Sequence, residues 1–337
     1  MPYIPEMPVR HGIRCLLFDL GDTLWYRADQ SGWTNLENES NQRAIDLLRQ
    51  HINPVHLSES DDCKLGQDLR REFDLQIRTE IRHAPLLEPD SAGAIARVLE
   101  TWGIAGYTRT LCTQLFEALR VRLPNSRPLF ADALSTLTEL QRRGFLLGIV
   151  TNRLWGGDPF YEDIQAIGLL RFFRKEHIAV SGDMGLRKPN PDIFEHTLKA
   201  LQVSPQETAM IGDSLSADVL GAQQLGIYSI WKPKPWLRAW AMTHTPTMPQ
   251  QEQADTPQID FSRETFPGID TADTQMPEIP ESSHPLPQGV HVTDDDYILA
   301  RASKGRDYLE QFQRGEIMPD RVIGELAELL ELFPGVI

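Results

Sequence analysis

Cysteine is scarce in this chain of 337 residues. Its three cysteines, Cys15, Cys63 and Cys112, are scattered along the sequence and lack the paired spacing of a zinc site. Small secreted proteins are typically held together by several disulfides, and three separated thiols do not supply such a framework. We therefore expect a cytoplasmic protein, in which Cys15 belongs to the core rather than to a nucleophilic site.

Basic residues are outnumbered, and long apolar runs are missing. Lys and Arg total 33 against 48 Asp and Glu, which gives a formal net charge of −15. Nucleic-acid binding depends on Lys and Arg that neutralise phosphates, so this balance argues against a nucleic-acid partner. No run approaches the roughly 18 apolar residues of a membrane span. The first residues show no basic segment leading into an apolar one, so we expect no signal peptide and no membrane partner.

What the chain does have is four segments that each present polar groups at the end of an apolar stretch or before a helix. In chain order these groups are a carboxylate, a hydroxyl with an amide, an ammonium and a carboxylate pair, supplied by Asp19, Thr151 with Asn152, Lys188, and Asp213 with Asp218. Open α/β sheets bind ligands at the carboxyl ends of their strands. We therefore expect the four segments to converge on one site.

These groups suit phosphoryl transfer. A carboxylate can attack phosphorus when a cation cancels the repulsion between the two anions and donors hold the phosphoryl oxygens. Asp19 is the candidate nucleophile, and it can share a Mg²⁺ with Asp213, because Mg²⁺ prefers carboxylate oxygens and water. Asp218 would act behind the ion. The candidate substrate-binding groups, which donate to the phosphoryl oxygens or neutralise their charge, are Thr151, Asn152 and Lys188.

The same residues resemble the four motifs of the haloacid dehalogenase (HAD) superfamily, whose members are mostly phosphatases. The resemblance extends over residues 13–231. It implies a nucleophile, a motif-two hydroxyl, a motif-three lysine and an acidic metal-binding pair at Asp19, Thr151, Lys188, and Asp213 with Asp218. The segment GDSLSAD at 212–218 is similar to the Mg²⁺-dependent branch and unlike the metal-free dehalogenases.

Gly21 departs from the family pattern. Phosphatases of the superfamily usually carry a second aspartate two residues after the nucleophile, where it protonates the leaving group and later activates water. By the resemblance, the metal ligand at this position is a backbone carbonyl, which Gly21 can still supply. What is missing is the general acid and base, a contribution of about 10²–10⁴ in rate. Asp22 lies one residue further along, and we expect its side chain to diverge from the site.

The apolar runs predict an α/β fold. Five strands are predicted at 13–18, 145–151, 177–181, 208–212 and 227–231. Helical patterns separate the later strands, at 131–143, 159–168, 191–201 and 214–225. Alternation of strands and helices with right-handed crossovers gives a parallel sheet covered on both faces. We therefore expect a Rossmann-like, doubly wound core formed by residues 1–24 and 125–240.

Residues 25–124 interrupt this core between its first two strands. Helical apolar spacing occurs at 35–50, 64–82, 90–102 and 108–122. An all-helical insert at this point resembles the family's cap domain, which closes over the site and selects the substrate. Aromatic residues just after the first motif are candidates either for the entrance of the site or for hinge packing; they are Trp25, Tyr26 and Trp33.

The last hundred residues change in character. Residues 241–293 are rich in Pro, Thr, Gln and acid, a composition that buries too little apolar surface to fold alone, and we expect a disordered linker. Residues 294–337 form a predicted helical extension, with helical patterns at 295–312 and 319–333. The apolar stripe of such helices needs a partner, which could be the core, a second copy or another protein.

The leading functional hypothesis is a Mg²⁺-dependent phosphomonoesterase that acts on small phosphorylated metabolites through an aspartyl phosphate. A non-catalytic binding or regulatory protein is the alternative, because the usual general acid is replaced by Gly21. A carbon–phosphorus hydrolase of the phosphonatase type, which would use a Schiff-base lysine in the cap, is a minor alternative that depends on Lys64. The sequence does not identify the substrate.

Overall fold

The computed structural model describes residues 8–27, 30–51, 61–243 and 308–335. Its centre is a parallel sheet of six strands in the order β3-β2-β1-β4-β5-β6. The strands β1 to β6 are Cys15–Phe18, Leu146–Thr151, Ile178–Val180, Thr208–Gly212, Tyr228–Trp231 and Arg321–Val322. The central strand β1 is apolar and buried at every position, as expected where a parallel sheet is covered on both faces. Cys15, which begins β1, is a fully buried core residue, as predicted.

The five strands predicted from the sequence are all present, and the doubly wound, Rossmann-like α/β fold is confirmed. The predicted strand at 177–181 is shortened to the three residues of β3. Lys175–His177 forms a 3₁₀ turn before it, and Ser181 begins a short helix after it. The boundary moves because these flanking turns satisfy backbone groups that the sheet would otherwise use.

Four helices between β1 and β2 pack into a body with its own apolar core. Together with a short fifth helix they are α1 to α5, at Gln30–His51, Asp62–His83, Ser91–Thr101, Arg109–Ala118 and Leu123–Ser126. Each of the four long helices contributes buried residues to one cluster, for example Leu48, Phe73, Val98 and Leu115. The four helices predicted for the insert are thus present, although α1 begins earlier and α4 ends earlier than their patterns indicate.

Helices on both faces of the sheet complete the core. In chain order α6 to α11 are Ala133–Arg142, Gly157–Ala166, Ser181–Met184, Pro191–Leu201, Leu220–Leu225 and Pro235–Thr243. Leu137 of α6 and Ile164 of α7 pack in the apolar cluster on one face of the sheet. Phe194 of α9 and Ala222 of α10 pack in the cluster on the other. None of the described helices combines the length and the apolarity that a membrane span requires.

The prediction of one helix over 319–333 is wrong. Its first residues form β6, which pairs parallel with β5, and only Leu329–Leu332, the helix α13, is α-helical. A 3₁₀ turn at Leu326–Glu328 separates the two. Periodicity suggested a helix because the same apolar side chains, including Leu326, Leu329 and Phe333, are buried in the core cluster under the sheet. Contact with the sheet, rather than the local period, decides their conformation.

The described part of the C-terminal extension therefore packs on the core. Besides β6 and α13 it contains α12, Tyr308–Gln313, whose Phe312 is fully buried with its ring 5.3 Å from that of Trp231. Of the predicted linker at 241–293, the first three residues end α11. The remainder of that linker, and most of the predicted helix at 295–312, lie outside the described residues.

Candidate functional site

Three predicted site residues lie side by side because three neighbouring strands end at the same edge of the sheet. Strand β1 lies between β2 and β4 and pairs in parallel register with both. Asp19 follows β1 directly, Thr151 is the last residue of β2, and Asp213 follows β4. The structure thus brings together residues that are far apart in the sequence, at the edge where such sheets bind ligands.

Lys188 reaches this edge and is fully engaged there. Its Nζ donates hydrogen bonds to Asp19 Oδ1 at 2.7 Å, to Asp218 Oδ1 at 2.6 Å and to the carbonyl of Val150 at 2.7 Å. An ammonium group has three donors, and all three are used. Burial lowers the pKa of Lys188, but the charges of Asp19 and Asp218 outweigh burial, so the pKa lies above its ordinary value. The lysine is therefore held as a cation between two carboxylates.

Asn152 holds the segment that carries Lys188. Its Oδ1 accepts a hydrogen bond from the Lys188 N–H at 2.8 Å, and its Nδ2 donates to the Lys188 carbonyl at 3.0 Å. This pair of bonds joins the end of β2 to the loop before α9. Because the side-chain oxygen and nitrogen of Asn152 both bind the Lys188 backbone, we assign Asn152 a positioning role. Its direct contact with substrate stays a prediction.

Asp218 is positioned as tightly as Lys188. It lies in a π-helical turn, Leu215–Val219, that precedes α10, and its Oδ2 accepts the N–H of Ser214 at 3.0 Å. A Cβ atom at Gly212 would lie only 2.2 Å from the Asp218 carboxylate carbon, so glycine is required there. Both Asp218 oxygens are bound by protein donors, which suits a group that acts behind a metal ion rather than directly on it.

Carboxylates outnumber the cation at the centre of the site. Oxygen atoms of Asp19, Asp213 and Asp218 lie within 4.8 Å of one another. Burial, followed by repulsion from Asp19 and Asp218, raises the pKa of Asp213 well above its ordinary value. Burial also raises the pKa of Asp218 to about 6, although Lys188 opposes this shift. A divalent cation would neutralise this excess charge, so the oxygen-rich donor set fits Mg²⁺. Asp19 and Asp213 are the residues that could hold it, together with the predicted carbonyl ligand of Gly21.

A tight turn follows Asp19. The N–H groups of Leu24 and Trp25 both donate to the carbonyl of Leu20, at 2.9 and 3.1 Å. Gly21 lies inside this turn without adopting the left-handed conformation. A Cβ atom placed on Gly21 would lie 3.9 Å from Asp19 Oδ2 and would meet no closer neighbour. The position predicted to lack a general acid is therefore close to the candidate nucleophile and has room for a side chain.

Two lysines that the sequence analysis did not identify contact Asp22. Its carboxylate lies 3.3 Å from Lys234 Nζ, and its carbonyl accepts a hydrogen bond from Lys232 Nζ at 3.3 Å. The Lys232 ammonium also lies 3.5 Å from the centre of the Phe130 ring, and burial lowers its pKa. Lys232 directly follows β5, and Lys234 comes two residues later. The strand-end rule that identified the other residues could have found them.

The helical body contacts the core beside the Lys188 loop. Trp155, which follows β2, stacks on Phe116 of α4 with ring centroids 4.9 Å apart. An ion pair of 2.8 Å joins Arg187, next to Lys188, to Glu88 in the loop before α3. Trp25 packs in the main core cluster, so of the three candidate entrance aromatics it has a packing role.

Comparisons with known proteins point to one family of hydrolases. A family model described as haloacid dehalogenase-like hydrolase matches residues 13–226. The chain is 31% identical over 228 residues to the glyceraldehyde 3-phosphate phosphatase of Pyrococcus furiosus, an alignment that covers 65% of this chain and 80% of the relative. It is 36% identical over 104 residues to the phosphoserine phosphatase of Thermus thermophilus, covering 31% and 40% of the two chains.

Among solved structures, the putative HAD-hydrolase YfnB from Bacillus subtilis, bound to magnesium, matches with a TM-score of 0.45 and 19% identity, over 95% of this chain and 98% of that one. The family match is the stronger finding, since it spans more than half of the chain and includes Asp19, Thr151, Lys188, Asp213 and Asp218. The chain therefore belongs to the haloacid dehalogenase-like hydrolase family.

Proposed function

We propose that the protein is a Mg²⁺-dependent phosphomonoesterase of small phosphorylated metabolites, with Asp19 as the nucleophile. The observation that carries this proposal is the environment of Asp19. One of its oxygens is held by the Lys188 ammonium at 2.7 Å, and the carboxylates of Asp213 and Asp218 lie beside it. A carboxylate fixed in this way has one oxygen committed to a cation and one available for attack.

In the proposed reaction Asp19 attacks the phosphorus atom, the bond from phosphorus to the ester oxygen breaks, and the leaving alkoxide takes a proton from solvent. Water then attacks the aspartyl phosphate, releases inorganic phosphate and a proton, and restores the carboxylate. Lys188 offsets negative charge on Asp19 and on the phosphoryl group, while Thr151 donates to a phosphoryl oxygen. When bound by Asp19 and Asp213, Mg²⁺ would supply further charge neutralisation at the phosphoryl group.

The named relatives support the reaction class. Two of them are called phosphatases of small phosphorylated metabolites, a phosphorylated aldehyde and a phosphorylated amino acid. We carry over from them only the cleavage of a phosphate ester from a small molecule. The cytoplasmic location expected from the scarcity of cysteine stays a prediction.

The test is turnover of p-nitrophenyl phosphate by the purified full-length protein, with Mg²⁺ and after its removal by EDTA. We expect hydrolysis that is lost with EDTA and restored by Mg²⁺. Absence of turnover with Mg²⁺, on this substrate and on a panel of metabolite phosphates, would favour the non-catalytic alternative raised by Gly21.

The phosphonatase alternative finds no support in the position of Lys64. A Schiff-base lysine acts as an unprotonated amine, which requires a desolvated or cationic environment that lowers its pKa. Lys64 is exposed near the start of α2. Its exposure supplies no such desolvation.

A further inference from the structure

Two guanidinium groups of like charge lie over one indole ring. The Trp33 ring lies 4.2 Å from the guanidinium carbon of Arg27 and 4.4 Å from that of Arg127, measured to the ring centroid. The Trp33 Nε1 is buried and has no hydrogen-bond acceptor within the described parts of the chain. Leaving a buried N–H without an acceptor is unfavourable, so the Trp33 N–H is available to an acceptor that a ligand supplies.

Arg127 is the least satisfied member of this group. Its side chain forms no ion pair and no hydrogen bond with residues 8–27, 30–51, 61–243 or 308–335. The nearby carboxylates are already engaged, since Asp22 pairs with Lys234 at 3.3 Å and Glu37 lies 3.9 Å from Arg27. Burial, followed by repulsion from Arg27, lowers the pKa of Arg127 to about 10.

Arg153 has a similar environment. Its Nε donates to the carbonyl of Trp155 at 3.1 Å, while its terminal guanidinium nitrogens form no hydrogen bond within the described residues. Its guanidinium carbon lies 5.6 Å from the centre of the Phe160 ring. Burial, followed by repulsion from Arg127 and Arg120, lowers the pKa of Arg153 to about 9. Two arginines that repel each other thus both lack an anionic partner in the part of the chain that the structure describes.

The unpaired arginines are notable because acidic partners are plentiful. The chain has 48 acidic residues and 33 basic ones, so an arginine with a purely structural role could readily be paired. Arg120 shows the ordinary arrangement, since its guanidinium binds Glu117 at 3.0 Å and the carbonyl of Gly156 at 2.8 Å. Arg120 Nη1 is also buried without a partner among the described residues, but Arg120 Nη2 is bound. Arg127 and Arg153 differ in that neither terminal nitrogen of either guanidinium forms a hydrogen bond within the described residues.

Backbone hydrogen bonds place Arg127 next to the reaction centre, and chain connectivity does the same for Arg153. The N–H of Tyr26 donates to the carbonyl of Pro128 at 3.0 Å, and that of Phe130 donates to the carbonyl of Leu24 at 3.1 Å. These bonds fix Arg127 beside the turn that follows Asp19. Arg153 directly follows Thr151 and Asn152 in the sequence.

We propose that Trp33, Arg127 and Arg153 form a subsite for a second anionic group of the substrate, a carboxylate or a second phosphate. The planar guanidinium donors suit either anion, and the Trp33 N–H supplies a further donor. The subsite deepens the proposed phosphomonoesterase function and rests on it for the position of the first phosphate. A substrate with anionic groups at both ends would fill the reaction centre and the subsite together.

The test compares equilibrium binding of three unreactive ligands to the full-length protein with Mg²⁺, by isothermal titration calorimetry. Propylphosphonate has one anionic group, 3-phosphonopropionate replaces its terminal methyl by a carboxylate, and 1,3-propanediyl bisphosphonate carries a second phosphonate. We expect at least one of the last two to bind roughly tenfold or more tightly than propylphosphonate, as a charged hydrogen bond implies. The better of the two identifies the second anion.

In the variant Arg127→Gln, the ratio of the affinity for the better of these two ligands to the affinity for propylphosphonate should fall close to one. Trp33→Phe keeps a stacking ring but removes the N–H, and should reduce the preference severalfold, which supplies a second reading if Arg127→Gln does not fold. The matched control is Arg174→Gln, because Arg174 is exposed and paired with Glu176, and it should keep the full preference.

Equal binding of all three ligands by the wild type, or a preference that survives both Arg127→Gln and Trp33→Phe, would overturn the subsite. Turnover of p-nitrophenyl phosphate, measured in parallel, reports on the proposed function separately. A preference for two anions without turnover would leave the subsite standing and refute the phosphatase proposal. Turnover without a preference for two anions would support the phosphatase proposal and refute the subsite.

Discussion

Asp19 and Lys188 form the buried ion pair on which the proposed reaction depends. The ammonium is 2.7 Å from the carboxylate it neutralises, and both side chains are buried. Replacing Asp19 by Asn keeps the size of the side chain but removes the attacking anion. We expect Asp19→Asn to lower kcat on p-nitrophenyl phosphate by at least about 10³-fold.

Circular dichroism of the Asp19→Asn protein should show an unchanged fold, because an amide can still accept a hydrogen bond from Lys188. Asp22→Asn is the control, since Asp22 is paired with Lys234 and lies outside the proposed chemistry. A variant at Asp19 that retained most of its turnover would refute the assignment of the nucleophile.

The absence of an acidic side chain at Gly21 leads to a second prediction for a single residue. Without a carboxylic acid at this position the leaving group is poorly protonated, so aryl phosphates should turn over much faster than alkyl phosphates. Gly21→Asp should raise turnover of alkyl phosphates selectively, up to about 10²-fold, the lower end of general-acid contributions. The turn accommodates the change, because the nearest atom to a Cβ there is Asp19 Oδ2 at 3.9 Å.

A series of phosphate esters with leaving groups of different pKa, measured in single turnovers, provides the readout. The wild type should show a steep dependence on leaving-group pKa, and Gly21→Asp a shallower one. If the wild-type dependence is already flat and becomes steep in Asp22→Asn, then Asp22 donates the proton and the role assigned to Gly21 is wrong.

Sequence reasoning identified the polar residues at strand ends because their signal is local. Asp19, Thr151 and Asp213 each terminate an apolar run, and parallel pairing makes such ends adjacent. The environment of Arg127 and Trp33 had no such signal. Their contact depends on how the residues after β1 meet the residues before α6, which no spacing in the sequence encodes.

At the scale of elements, the next prediction concerns the hydrogen bonds that connect the end of β2 to the loop before α9. Asn152 binds the N–H and the carbonyl of Lys188, so Asn152→Ala should leave both unsatisfied and let the ammonium drift from Asp19. We expect kcat to fall roughly tenfold, because small displacements of positioned groups are costly. The free energy of unfolding should fall by about 1–3 kcal/mol.

Asn190→Ala is the matched control for these hydrogen bonds. Asn190 caps α9 by accepting the Asp192 N–H at 3.0 Å, and it lies two residues from Lys188 without binding it. Its loss should cost about 1 kcal/mol of stability with little effect on kcat. Equal losses of kcat in both variants would mean that general loosening of the loop, rather than the Asn152 contacts, governs turnover.

Elements were predictable where a long apolar run or a sustained period marks them, as in β1, β2 and α9. Strand β6 could not be predicted in this way. It has two residues, its pairing partner β5 lies about ninety residues earlier, and its flanking residues follow a helical period. Short edge strands form through tertiary contact with a sheet that already exists.

The whole molecule is held together by its C-terminal residues as well as by the sheet. Phe333 is buried, and its ring lies 5.6 Å from that of Phe145, which precedes β2. Arg143, at the end of α6, donates to the Phe333 carbonyl at 2.9 Å. These contacts join the last described residues to the centre of the core, so the described part of the C-terminal extension, residues 308–335, belongs to the folded unit.

This packing sets the last prediction. A fragment ending at Trp240 lacks β6 and the buried side chains that follow it, and we expect it to be insoluble or to unfold at much lower urea than the full chain. Phe333→Ala in the full chain should lower the free energy of unfolding by about 3–5 kcal/mol, because it opens a cavity in the core. Leu75→Ala is the control, since Leu75 is 57% exposed and its loss should change stability by less than about 0.5 kcal/mol. Urea unfolding followed by tryptophan fluorescence measures both variants. If the fragment ending at Trp240 were as stable as the full chain, the core would be complete without β6 and the residues that follow it, and the prediction would be wrong.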